Sequence, residues 1–227
     1  MGDQELEVGK QELIKEVKEK LRKKLWKTYQ TRIITSERLE KKDKFYHKIN
    51  VYYSLLIVIF SLFDVFGKEI NIFGIKIAEK NLTFIILILS ICSAIFAMFI
   101  SSKGYKERSL NMKMHYIALK DLYYDLTLFE DNKEQIKQVQ TTYSNLLKTV
   151  ENHSKYDYTE FRAANYSKNG NRGDKKINDF DYGKPSEYET IRLTFHKFKQ
   201  KFFYPALLWA APFLFIYTLK LLSNIFD

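Results

Sequence analysis

The chain is poor in residues that interrupt or staple a fold. It has one cysteine, Cys92, with three prolines and eight glycines in 227 residues. A single thiol excludes a disulfide framework and any metal site built from several thiolates. Four scattered histidines give no zinc-ligand spacing. The shortage of Gly and Pro excludes collagen-like, linker-like and turn-rich β-sandwich architectures and favours long helices. Negative charge is the minority: 27 Asp and Glu stand against 37 Lys and Arg, a net charge of +10. Such an excess suits an acidic partner, either lipid headgroup or nucleic acid.

What is abundant is apolar sequence in three blocks. INVYYSLLIVIFSLFDVF covers Ile49–Phe66 with one charge, Asp64. LTFIILILSICSAIFAMFISS covers Leu82–Ser102 with none. FFYPALLWAAPFLFIYTL covers Phe202–Leu219 and carries two prolines. About 20 apolar residues cross about 30 Å of hydrocarbon as a helix. The second block meets that length, the first is close to it, and the third is expected to form a further C-terminal span. None has the form of a cleaved signal peptide, because the 48 residues before the first block are highly charged. Those 48 residues hold 14 Lys and Arg, the loop Gly67–Asn81 holds three, and residues 103–201 hold 19. The positive-inside rule then places the N-terminus and the section 103–201 in the cytoplasm.

The expected fold is an all-α membrane protein. It has a long antiparallel transmembrane helical hairpin, cytoplasmic helical extensions and a third transmembrane helix. Residues 1–35 read as an amphipathic cytoplasmic helix, with Leu13, Ile14, Val17, Leu21, Leu25, Tyr29 and Ile33 three and four apart. Residues 36–130 read as the two-span hairpin with stalks. Ser36 is expected to cap a new helix, and the second span to continue unbroken to about Phe129. Residues 131–201 read as cytoplasmic helices around a flexible loop at 165–185, with a capping box at Ser186 and Glu189, and 202–227 as the third span.

No catalytic constellation is legible. GxSxG and HExxH are absent, and the Gly170–Lys176 stretch does not match a phosphate-binding loop. Cys92 lies in a charge-free span without a base to activate it. His115 and His153 read as surface or packing histidines, and Asp121 and Asp125 as a solvated pair. No catalytic residue, metal or cofactor is therefore expected. The candidate residues lie in the spans. Ser90, Ser93, Ala94, Ala97 and Ser101 form small-xxx-small patterns that let helix backbones approach. Ser54, Ser61 and Asp64 put polar groups on one side of the first span, where a carboxylate favours a bundle interior or a water-filled cavity. Helix packing and pore lining both account for these eight residues.

Three stretches carry a family resemblance: LWKTYQTRIITSERLEKKDKFYHKINVYYSLL (Leu25–Leu56), SSKGYKERSLNMKMHYIALKDLYYDL (Ser101–Leu126) and ENHSKYDYTEFRAAN (Glu151–Asn165). With the helix order, they resemble the SLATT domain, a two-transmembrane effector associated with SMODS nucleotidyltransferases and SLOG sensors in bacterial conflict systems. The fifth SLATT family, whose genes neighbour reverse transcriptases, is the most similar. The resemblance implies a homo-oligomeric pore-forming effector of anti-phage defence and abortive infection. Its trigger would be a separate sensor, nucleotidyltransferase or reverse transcriptase. The third apolar block departs from a minimal two-span domain. The other reading of the residues is a non-conducting membrane anchor that recruits a nucleic-acid-associated partner through its basic helices. Direct nucleic-acid binding is not expected.

Overall fold

In the computed structural model the described backbone comprises residues 2–66, 70–72, 75–77, 79–130, 132–149, 151, 154–171 and 185–226. Side chains are described for the same residues except 2–6, 70–82, 165–171, 215–216 and 218–226. Seven α-helices and one strand pair are seen among them: α1 (Gly2–Val65), β1 (Ile70–Ile72), β2 (Ile75–Ile77), α2 (Glu79–Lys103), α3 (Tyr105–Leu128), α4 (Lys133–Thr149), α5 (Lys155–Asn171), α6 (Glu187–Phe198) and α7 (Tyr204–Phe226). A π-helical turn, Lys199–Phe203, links α6 to α7.

Glycine sets one boundary, and polar caps set others. Between Lys10 and Phe66 there is neither Gly nor Pro, and α1 runs through that whole stretch. Ser36 therefore caps no new helix, contrary to the sequence expectation. Its hydroxyl instead bonds to the Ser109 carbonyl at 3.1 Å. The expected unbroken helix from the second span to Phe129 is also corrected. Gly104 sits at φ 53°, and its N–H bonds to the Ser101 carbonyl at 3.1 Å. A side chain would be strained in that left-handed conformation, so α2 ends where the glycine stands. The break before α4 uses Asn132, whose Oδ1 accepts the Glu134 N–H at 2.9 Å. The capping box at Ser186 forms as expected, with reciprocal bonds to Glu189 of 2.9 and 3.2 Å. Residues 165–171 continue α5 rather than opening a loop, and residues 172–184 lie outside the described ones, as do Lys68 and His153. β1 and β2 pair antiparallel, Ile70 opposite Ile77, an addition to the all-helical expectation.

The chain divides into two units. The first comprises Met1–Glu40 and Lys106–Leu193, the second Lys41–Tyr105 and Thr194–Asp227. In the first unit the α1 seam is Ile14, Lys18, Leu21, Leu25, Thr28, Arg32, Thr35 and Leu39, alternating steps of four and three. That 3.5-residue period is a coiled-coil seam. It meets Leu119 and Leu126 of α3 and Ile136 and Val139 of α4 in one apolar core. Leu25, Leu119 and Leu126 are fully buried. Each contributes roughly 1.5–3 kcal/mol relative to exposure.

In the second unit the packed face of α1 is Ile49, Tyr53, Leu56, Phe60 and Asp64. Tyr46 stacks on Tyr105 at 5.5 Å, Tyr53 meets Phe96 at 5.8 Å, and the Thr83 hydroxyl donates to Asp64 at 2.8 Å. α7 joins through Pro212. A proline has no N–H, so the Leu208 carbonyl four residues earlier loses its helical donor. The Tyr53 hydroxyl donates to it at 2.7 Å, and Tyr52 donates to Trp209 O at 3.2 Å.

Candidate functional site

The eight span residues do not share one environment. Ser90, Ser93 and Ala97 are half-buried, while Ala94 and Ser101 are exposed. The small-residue set is thus divided between a face packed within the chain and a face left uncovered by it. Ser90 bonds its own helix at Ile86 O (2.8 Å), and Ser54 bonds Asn50 O (3.0 Å). Ser54 and Ser61 lie on an exposed face of α1 with Leu55, Val58, Ile59 and Leu62. Asp64, about 80° round the helix from Ser54 at 3.6 residues per turn, is half-buried and takes the Thr83 hydroxyl instead. An apolar cavity of about 370 Å³ lies beside Tyr53, Phe96, Ser93 and Pro212. Cys92 borders it and is otherwise exposed.

The first unit contains a second arrangement that the sequence did not reveal. Directly after Leu25, the α1 seam turns polar. The Thr28 hydroxyl meets Tyr143 Oη at 2.9 Å. Ser36 and Ser109 exchange hydroxyl-to-carbonyl bonds of 3.1 and 2.9 Å. Fully buried Arg32 donates from Nη1 to His115 Nδ1, while its Nε and Nη2 find no partner among the described residues. His115 Nε2 meets Thr149 Oγ1 at 2.8 Å, and that hydroxyl donates to Leu146 O at 2.9 Å. His115 is therefore a buried bridge between helices; of the two environments left open for it, packing holds and surface does not. Burial, then the Arg32 cation, pushes its pKa below the ordinary histidine value, against a smaller opposite influence from Leu146.

Two paired arginines flank this belt. Arg38 grips fully buried Asp157 with bonds of 2.7 and 3.0 Å, and Arg108 grips Glu151 with bonds of 2.8 and 2.9 Å. Asp157 also completes a capping box with Ser154, whose N–H and hydroxyl both donate to Oδ2 at 3.0 and 2.8 Å. The S-x-x-D spacing was the available signal. Burial would raise the Asp157 pKa, but the Arg38 and Ser154 contacts together hold it below the usual carboxylate range. Asp121 and Asp125 are exposed, as a solvated pair should be. Among the described residues, no group of three or more His, Cys, Asp or Glu side chains is placed to hold a metal ion.

Two helical stretches, Glu7–Val65 and Thr83–Leu128, each contain a window long and apolar enough to cross a membrane. They are the two candidate spans of a helical membrane protein. The chain belongs to the SMODS and SLOG-associating 2TM effector domain family 5, which it matches over residues 14–218. No curated protein and no solved structure matches it. The family fixes the class, a two-transmembrane effector domain associated with conflict systems.

Proposed function

We propose that this chain is a bacterial membrane effector of an anti-phage conflict system, whose copies assemble into a pore when a separate partner signals. Family membership that spans the stalk and both apolar helices carries this reading. The α1 and α2 spans would form an antiparallel hairpin in the plasma membrane with the N-terminus in the cytoplasm, and α7 a third span. The face of α1 bearing Ser54 and Ser61 supports assembly, because this chain leaves it uncovered. Hydroxyls on an otherwise apolar span are what an interhelical contact or a wetted wall uses. Asp64 sits near the end of that span and accepts a hydrogen bond from the Thr83 hydroxyl. Several copies would place a ring of carboxylates at a pore mouth, which favours cations.

The test is conductance. Full-length protein in planar bilayers should give cation-selective currents, and Asp64→Asn should lower the cation preference while membrane abundance and oligomer size stay unchanged. Currents and killing equal to the parent would remove Asp64 from the pathway. No current and no liposome leakage under any trigger would favour the anchor reading. That reading draws on the run Lys20–Ser36, which contains six Lys and Arg and no carboxylate.

A further inference from the structure

We propose that the Arg32–His115–Thr149 chain is a proton-operated latch, in which binding of one proton at His115 Nδ1 releases α3 and α4 from α1 within the first unit. The argument begins with what arginine can do. A guanidinium only donates hydrogen bonds and is not deprotonated in proteins. Its contact with His115 Nδ1 therefore makes that nitrogen an acceptor. The imidazole is then neutral and carries its proton on Nε2. That N–H donates to Thr149 Oγ1, leaving the Thr149 hydroxyl proton for Leu146 O. Every donor in this series has one direction, and the series ties α1 to α3 and α3 to α4.

Protonation reverses one link. The proton, taken from water, occupies the lone pair that Arg32 was using, so the Arg32–His115 bond is lost. The new Nδ1–H then faces a second donor, and two cations share a site in which Arg32 is 0% and His115 6% exposed. The Leu146 carbonyl favours the charged imidazole, but burial and the Arg32 cation outweigh it. From α1 the other facing groups are the Thr31 and Thr35 hydroxyls, which bond to carbonyls of their own helix. From α4 they are Thr149 and the Tyr143 phenol. The belt's carboxylates, Glu151 and Asp157, are each held by another arginine. Arg32 Nε and Nη2 already find no acceptor among the described residues, so this layer is poorly able to absorb a further donor.

Because the native His115 pKa lies below its unfolded value, the unfolded or opened form binds more protons, and the latch weakens as pH falls below about 6.5. This holds whether or not the chain conducts. Two measurements on the full chain in lipid nanodiscs test it. Nitrogen-15 imidazole shifts at pH 7.5 should show the Nε2–H tautomer for His115, assigned by its loss in His115→Gln. Amide exchange of Lys133–Thr149, corrected for intrinsic rate, should then rise by up to roughly tenfold per pH unit between 6.5 and 5, the most that one proton gives. Gln offers an acceptor and a donor without a titrating proton, so His115→Gln should stay protected and flat with pH. An Nδ1–H tautomer, exchange in the parent that is flat with pH, or a variant that tracks the parent would each overturn the latch. Should the Gln variant fail to fold, the parent's tautomer and exchange profile still decide.

Discussion

Single residues in this chain do work that their sequence neighbours do not announce. Asp157 is the clearest case, because one buried carboxylate both caps α5 and pairs with Arg38. Removing one partner of a buried pair leaves the other charge uncompensated and usually costs about 3–5 kcal/mol. Arg38 keeps about a quarter of its side chain exposed, 23%, so part of that cost is screened by solvent. Asp157→Asn should therefore destabilise the first unit by about 2–3 kcal/mol, read as a lower urea midpoint for the tryptophan signal of Trp26. The acid dependence has a definite sign. The native Asp157 pKa is depressed, so its contribution is present above the unfolded carboxylate value, about 3.9. It is lost as pH falls through the lower native value. That window lies well below the one in which His115 acts, so the two effects separate on one pH titration.

At the scale of elements, the second unit shows how a proline is accommodated in an apolar helix. Pro212 orphans the Leu208 carbonyl, and Tyr53 of α1 satisfies it. An unmet buried acceptor costs about 1–3 kcal/mol. Tyr53→Phe should cost that much in the parent. In a Pro212→Ala background α7 regains its own N–H donor, so the same change should cost much less. The double-mutant cycle should show a coupling of at least about 1 kcal/mol by reversible unfolding in mixed micelles. Additive effects would mean that the Tyr53 hydroxyl does not act through the carbonyl that Pro212 orphans. The first unit follows different element logic. Apart from Lys18, its seam is apolar from Ile14 to Leu25 and polar from Thr28 to Thr35, so apolar burial is concentrated in the first half. Register comes from the second, as polar seam positions do in coiled coils.

For the whole molecule, the two halves of the small-residue stripe differ in burial, so folding and any assembly through α2 can be probed separately. Ala97 lies on the half-buried face and Ala94 on the exposed one. Ala97→Leu should lower thermal stability in detergent through overpacking, by about 1–3 kcal/mol. Ala94→Leu should leave stability within about 0.5 kcal/mol and shift the native-gel size of any oligomer that uses this face. If Ala94→Leu changes neither, copies do not meet through α2. Orientation is tested by cysteine labelling in a Cys92→Ala background. Gly74→Cys should react from the periplasmic side, and a cysteine after Asp3 only from the cytoplasm, because the basic segments flank the spans on one side. A cysteine after Asp227 discriminates two arrangements. Periplasmic reaction makes α7 a third span, and cytoplasmic reaction makes it an interfacial helix.

The sequence by itself determined the class. Three apolar runs, a lopsided distribution of Lys and Arg and few helix breakers define a helical membrane chain, and the helix order with three diffuse stretches pointed to its family. Those properties are local: run length, period and glycine position act through the backbone of their own segment. The capping box at Ser186–Glu189 was legible for the same reason. What only the tertiary structure decided are the pairings. Arg32 and His115 are 83 residues apart, Arg38 and Asp157 are 119 apart, and no periodicity states that their helices meet. Ser36 looked like a cap because a serine before two glutamates satisfies the first N–H groups of a helix. Here an acceptor on α3 engaged its hydroxyl, and a stretch without glycine or proline let α1 run on. The break at Gly104 turned on a left-handed backbone conformation, which glycine permits but does not require.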